Sequence, residues 1–373
     1  MNYMLHRFFK KATRILTIPI AGAACAALAL FFFSCSSIPP AGREAALEDE
    51  DMLPPRYSLV CIIHGDGEYF YHDTDGNAHK ADEATLEKAI KVAQRNTRAE
   101  VFIFHEKRRK RFMFIFPRRD GTFYYYRNGH LIAKESYWRD QGESRFDPET
   151  ELYNRFRAEG SPKPVNMFLY FGHEIPESGG KGYDASYGNR AFTIADLAEG
   201  LKGFAQDSTK VDLVVLSTCF NGTPYTMNAL APLARYVVAS PDNLHLSYFD
   251  LSPFERLDTG FRETGLFGFA KKFARHAFDR LTEELQTAVT VVVYDMEIVQ
   301  PFTQSVAGVY EQTLNSLNGI APGSIERCDC AEDPAYALPE MNRGVTVLYR
   351  APRFGRLKNK KSHSGWECWR FVK

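Results

Sequence analysis

Short continuous apolar runs alternate with helix-period stretches from Arg56 almost to the end of the chain. No other feature limits the fold as strongly. Residues 57–63 (Tyr-Ser-Leu-Val-Cys-Ile-Ile) and 211–217 (Val-Asp-Leu-Val-Val-Leu-Ser) are the clearest runs. At this length, with almost no polar alternation, they read as strands covered on both faces, the mark of a parallel sheet. Asp82 caps a helical stretch to Asn96 that places Leu86, Ala89, Ile90 and Ala93 on one face. Residues 101–104 form the next strand. Residues 112–116 and 122–126 flank Arg118-Arg119-Asp120-Gly121 and read as a hairpin on an Asp-Gly turn. Residues 128–163 are polar and irregular, with one helix around 148–158. Strands over 164–170, 211–217, 235–240 and 288–294 then alternate with helices over 193–206, 224–234, 262–285 and 296–317, and a late strand covers 344–349. Repeated βα units of this kind predict an α/β fold, a mostly parallel sheet with helices on both faces. The chain has no internal repeat. In such sheets chemistry lies outside the carboxyl ends of the strands.

The chain is 373 residues long, 45% hydrophobic, with 46 basic and 46 acidic side chains. That is too apolar for a disordered chain and long enough for one large domain or two ordinary ones. Zero net charge opposes a role in nucleic-acid binding, and the body after residue 51 is itself balanced, with 41 charges of each sign. A mean hydropathy of −0.33 excludes a multi-span membrane protein.

One apolar run remains, at the N-terminus. Arg7, Lys10, Lys11 and Arg14 form a basic head, residues 15–33 carry no charge, and Ser34-Cys35-Ser36-Ser37 follows. This is the layout of a bacterial export signal with a lipoprotein-type boundary, Cys35 being the lipidation site; an uncleaved anchor helix is the alternative. Either places the rest of the chain in the cell envelope, exported and membrane-anchored, facing the periplasm or the exterior. The expected organisation is an export signal over 1–35, a flexible acidic, Pro-containing tether over 36–55, an α/β domain over 56–320 and a C-terminal extension over 321–373 packed on the core.

Two strand ends carry side chains suited to catalysis. One reads Met167-Phe168-Leu169-Tyr170-Phe171-Gly172-His173, the other Leu213-Val214-Val215-Leu216-Ser217-Thr218-Cys219. A thiol supplies a nucleophile and an imidazole transfers protons near neutral pH. Pro224 opens a helix just after Cys219, whose positive end favours a thiolate. Other features are read as structural. His64-Gly65-Asp66-Gly67 ends the first strand and reads as a Gly-rich turn at the same sheet edge. Asp73, Asp75 and Asn77 mimic a calcium loop, but Ala78 and Ala84 stand where Gly and Glu are needed, so a hairpin turn is expected. The basic run 107–111 reads as a solvated turn. Cys61, Cys219, Cys328, Cys330 and Cys368 are odd in number; one of Cys328 and Cys330 is expected to pair with Cys368. A zinc site from Cys328, Cys330, His363 and Cys368 has a spacing that fits no common ligand pattern. Trp366, Cys368 and Trp369 are expected to pack the C-terminal segment onto the core.

The stretch from Leu169 to Asp250 resembles the clostripain family of cysteine peptidases, in the clan that includes caspases, gingipains and legumain. The resemblance rests on His173 and Cys219 at successive strand ends, 46 residues apart. It also rests on Tyr236-Val237-Val238-Ala239-Ser240, Phe249-Asp250-Leu251, Gly182-Tyr183-Asp184 and the stretch 287–295 with its following helix. It implies a caspase-like three-layer sandwich, with His173 as general acid/base and Cys219 as nucleophile. Backbone N–H groups of Glu174 and Cys219 would form the oxyanion site. It implies a peptide or protein substrate and needs no cofactor, although members of the family can bind calcium.

The chain departs from the family at three positions. Glu174 stands where Gly follows the His. Ser217 stands where an Asp lines the specificity pocket, and Ser247 replaces a second pocket acid, leaving Asp250 and Asp242 nearby. Without both acids a buried Arg or Lys side chain lacks its partner. The expectation is therefore a cysteine endopeptidase that is not strictly Arg/Lys-specific. The alternative is an inactive, clostripain-like envelope lipoprotein with a binding role.

Overall fold

The computed structural model describes residues 53–372, apart from residue 68 and residues 73–75, 113–115, 140–145, 159–163, 206–209, 246–247, 318–323 and 337–342. Cys35, the export signal and nearly all of the tether lie outside the described residues, as does Ser247. Among the described residues no helix is long and apolar enough to cross a membrane.

The first half of the fold comprises β1 (Tyr57–Gly65), β2 (Phe70–His72), β3 (Ala78–Lys80), α1 (Ala81–Arg95), β4 (Ala99–Lys107), β5 (Arg111–Phe112), β6 (Phe116–Pro117), β7 (Gly121–Arg127), β8 (His130–Tyr137), α2 (Asp147–Phe156) and β9 (Val165–Phe171). The second half comprises α3 (Ile194–Leu201), β10 (Val211–Ser217), α4 (Pro224–Leu230), β11 (Ala234–Ala239), α5 (Leu257–Glu284), β12 (Val289–Asp295), α6 (Met296–Leu317), β13 (Ile325–Asp329), β14 (Val345–Arg350) and β15 (Glu367–Phe371).

Nine strands form one sheet in the order β14-β12-β11-β10-β9-β1-β4-β7-β8. The five from β11 to β4 are mutually parallel, and antiparallel pairs extend both edges. This is the expected mostly parallel, three-layer α/β sandwich. Every residue of β1 is buried, which explains its unbroken apolar run: both faces of a central strand are covered. On one face Leu59, Cys61 and Ile63 meet Ala89 and Val92 of α1 and Phe269, Phe273 and Leu281 of α5. On the other, Val60 and Ile62 share a core with Tyr153 of α2, Leu197 of α3, Leu230 of α4 and Val306 of α6.

Helix ends follow local chemistry. Thr193 caps α3 with a full capping box, its hydroxyl and the Asp196 carboxylate each serving the other's backbone N–H. Thr223 caps α4 ahead of Pro224. Asp82 does not cap α1. It lies in the first turn, and its carboxylate accepts a hydrogen bond from His105 at 2.9 Å.

The expected Asp-Gly hairpin is not formed. The hairpin of this region joins β7 to β8 through Asn128-Gly129, both left-handed (φ 54° and 86°), which is the type I′ turn favoured between twisted strands. Gly121 instead lets the Tyr137 ring lie against its backbone, since a Cβ there would sit 2.3 Å from the ring. Strand β8 lies in the stretch read as irregular. It is an edge strand, largely exposed, so it lacks the apolar face by which strands are recognised. Asp73 and Asp75 lie outside the described residues; the strands that flank them, β2 and β3, pair antiparallel.

The C-terminal stretch is more than a cover. It supplies β14 to the main sheet and packs Trp366, fully buried, against Tyr294 and Phe302. A disulfide joins Cys330 to Cys368, as one of the two expected pairings, and it removes two ligands of the conceivable zinc site. Cys61 and Cys328 are buried thiols, each raised to about 12, chiefly by burial.

Candidate active site

Strands β9 and β10 are adjacent and parallel, with Phe171 paired to Ser217. His173 and Cys219 therefore each lie two residues beyond one paired position, at the carboxyl edge of the sheet. Strand β1 flanks β9 on its other side, with Ile63 paired to Phe171. This brings His64 and Asp66 to the same edge. Both read as members of a turn in the sequence, yet both are buried, at 4% and 0% exposure. Their signal was the one that marked His173 and Cys219, namely functional side chains just past an apolar strand.

His173 Nε2 lies 3.5 Å from Asp66 Oδ1, and His64 Nε2 lies 3.5 Å from the same oxygen. The other Asp66 oxygen accepts from the Ala185 N–H at 2.6 Å. Burial pushes the Asp66 carboxyl up, but His173, His64 and the Ala185 N–H outweigh it and hold it at about 2. Behind this group, His64 Nδ1 meets Glu106 Oε2 at 2.6 Å, and Arg139 Nη1 reaches Glu106 at 3.2 Å and Asp184 at 2.5 Å. Burial alone would lower the pKa of His64, yet Glu106 and Asp66 raise it overall. Tyr183 covers both imidazoles, with ring centroids 5.0 Å from His64 and 4.4 Å from His173. Gly172 permits this crowding, because a Cβ there would lie 3.2 Å from the His64 Cβ and 3.1 Å from the Tyr170 ring.

Cys219 is half-buried and outside any disulfide. Its sulfur donates to Asn243 Oδ1 at 3.2 Å and accepts from the Leu244 N–H at 3.3 Å. Phe220, next in the chain, is left-handed (φ 52°), and its N–H bonds the Asp242 carbonyl. The tight turn before α4 thus holds Cys219 at its apex.

Asn221 joins the two loops and was not foreseen. Its Oδ1 accepts from the Ile175 N–H at 3.2 Å and from the Thr218 hydroxyl at 2.6 Å, and its Nδ2 donates to the Ile175 carbonyl at 3.0 Å. One fully buried amide thereby fixes the segment after His173 against the segment holding Cys219. Arg327 of β13 makes a second link. Its guanidinium is paired with the Glu174 carboxylate and lies over the rings of Phe220, at 4.4 Å, and Trp369, at 4.2 Å. Burial raises the Glu174 carboxyl above its usual range in spite of Arg327.

The residues expected to set specificity have other partners. Ser217 is fully buried, and its hydroxyl accepts from the Phe249 N–H at 2.8 Å. Asp250 is surrounded by Arg280 at 2.6 Å, His276 at 2.8 Å and Lys88 at 3.2 Å. Asp242 accepts from the Thr290 hydroxyl at 2.5 Å. The charge of Asp250 is thus met by cations of this chain.

No family model and no curated protein sequence matches the chain. Solved structures do. A secreted C11 cysteine protease from Bacteroides thetaiotaomicron, "iotapain", superposes with a TM-score of 0.55 at 12% identity, covering 84% of this chain and 93% of that one. An inactive zymogen of a C11 protease from Parabacteroides distasonis superposes with a TM-score of 0.52 at 14% identity, covering 85% and 92%. At such identities the likeness is one of fold, and it spans nearly the whole of both relatives: this chain has the caspase-like fold of the C11, or clostripain-like, cysteine proteases.

Proposed function

We propose that the protein is a cysteine endopeptidase in which Cys219 is the nucleophile and His173 the general acid/base. The observation that carries this reading is the equal overhang of the two residues beyond the Phe171–Ser217 pair, on a fold shared with C11 proteases. The Cys219 sulfur attacks the scissile carbonyl, and the oxyanion is met by backbone N–H groups of Cys219 and Glu174. His173, having taken the Cys219 thiol proton during the attack, passes it to the leaving amine; it then takes a proton from the water that attacks the acyl carbon and returns it to the departing sulfur. The Asp250 carboxylate is met by Arg280, Lys88 and the His276 imidazole and Ser217 is buried, which supports a preference that is not strictly for Arg or Lys. We further propose that Cys35 is the acylated first residue of a mature, membrane-anchored envelope protein, a reading checked by the mass of the processed N-terminus.

A thiol-directed peptidyl probe tests the dyad. The wild type should be labelled, Cys219→Ala should not be, and His173→Ala should slow labelling by at least about 10²-fold. Wild-type protein inert to a broad panel of such probes would sink the peptidase reading. It would favour a non-catalytic binding role, which the hold of Asn243 and Leu244 on the sulfur and the contact of Arg327 with Phe220 also suit.

A further inference from the structure

His64 Nε2, Asp66 Oδ1 and His173 Nε2 converge, and all three are buried atoms without a hydrogen-bond partner. Each imidazole nitrogen is 3.5 Å from the shared oxygen, and the three lie within 4.8 Å of one another. The Glu106 carboxylate only accepts, so His64 Nδ1 carries the proton of their 2.6 Å bond. A neutral His64 then turns the lone pair of Nε2 toward the Asp66 carboxylate. A dry site in which an imidazole lone pair faces a carboxylate oxygen is unfavourable unless positive charge, a proton or a metal ion, lies between them.

A metal ion would satisfy all three atoms together. With metal–ligand bonds of about 2.0–2.1 Å, ligand atoms at tetrahedral angles stand about 3.3–3.4 Å apart, close to the two observed separations. The surroundings match those of metal-binding histidines. His64 donates its other ring nitrogen to a carboxylate, and that carboxylate is held by Arg139; such outer partners fix the tautomer and orient the ligand. The second Asp66 oxygen is fixed by the Ala185 N–H. His64 and Asp66 are deeply buried, while the His173 ring is 26% exposed through atoms other than its buried Nε2. Two imidazoles and one carboxylate suit a borderline divalent ion such as Zn²⁺.

We propose that His64, Asp66 and His173 form a three-ligand site for a divalent transition-metal ion at the carboxyl edge of the sheet. One consequence rests on the peptidase reading above: a metal on His173 Nε2 withdraws that imidazole from proton transfer, so occupancy switches the dyad off and a chelator restores it.

The test is calorimetric titration of Zn²⁺ into the full, untagged chain in a Cys219→Ala background, where the thiol contributes no affinity. One site per chain is expected. Asp66→Asn or His64→Gln should weaken it by at least about 100-fold, and Glu106→Gln by about 10–100-fold. Circular dichroism checks folding, and if His64→Gln does not fold, the near-isosteric Asp66→Asn decides. Absence of saturable binding, or binding by the Asp66→Asn variant within about threefold of its parent, overturns the proposal. Probe labelling of the wild type, with Zn²⁺ and then with a chelator, reads the consequence separately: a chain that binds Zn²⁺ but is never labelled keeps the metal site and loses the peptidase reading.

Discussion

Asn221 offers the sharpest test of how the site is held. Replacing it with Ala removes three hydrogen bonds at a position that is 1% exposed. It leaves the Ile175 N–H and carbonyl and the Thr218 hydroxyl without that partner. A net loss of about 1 kcal/mol per bond, rising toward ~1–3 kcal/mol for each stranded buried group, gives about 3–5 kcal/mol in all. At roughly 2 °C per kcal/mol for a domain of this size, the melting temperature should fall by about 6–10 °C. Scanning fluorimetry of the buried Trp366 follows the transition. Thr218→Val removes only one of the bonds and should cost about 1 kcal/mol. Combined with Asn221→Ala it should show a coupling of about 1 kcal/mol, because the two side chains share that bond. Well below the transition, Asn221→Ala should also slow probe labelling of Cys219 at least about tenfold, since small displacements of reacting groups are costly. A melting shift under about 2 °C, or strict additivity with Thr218→Val, would refute the claim that this amide braces the two loops.

Other outcomes follow from the same contacts. Removing the Cys330–Cys368 disulfide by a double Ala substitution opens a loop of 38 residues and should cost about 4 kcal/mol on the chain-entropy account, read as a lower melting temperature under non-reducing conditions. For Asp250, burial pushes the carboxyl up, but the Ser252 side chain, His276, Lys88 and Arg280 outweigh it and hold it well below its ordinary range. Its contribution to stability is therefore present above the unfolded carboxylate pKa near ~4 and lost as pH falls through the folded value. The melting-temperature gap between wild type and Asp250→Asn should accordingly narrow below about pH 4, and a gap that widens there would contradict the assignment. Gly172→Ala forces a methyl group against His64 and the Tyr170 ring and should cost about 1–3 kcal/mol by denaturant titration. Arg327→Ala strips the cation from between Phe220 and Trp369 and uncovers the Glu174 carboxylate. It should change the rate of Cys219 labelling, whereas an unchanged rate would mean that β13 is mechanically separate from the dyad.

Local pattern alone located the central strands, because a strand buried on both faces must be apolar throughout, as β1 and β10 are. It also located the helix start at residue 193 and the two strand ends bearing His173 and Cys219. It failed where a residue serves a partner distant in sequence. The edge strand β8 has no apolar face to betray it, and Asp120-Gly121 looks like a turn because the Tyr137 ring that requires a glycine lies 16 residues on. His64 and Asp66 looked incidental for the same reason. Periodicity reports which side of an element is buried, but not which strand lies next to it. Only the sheet order, with β1 inserted between β4 and β9, sets Asp66 against a histidine more than a hundred residues away and Glu106 behind His64. The sequence determined that a thiol and an imidazole end apolar strands. Tertiary structure decided that a carboxylate and a second imidazole share their edge, because pairing between strands, rather than spacing along the chain, fixes which side chains meet.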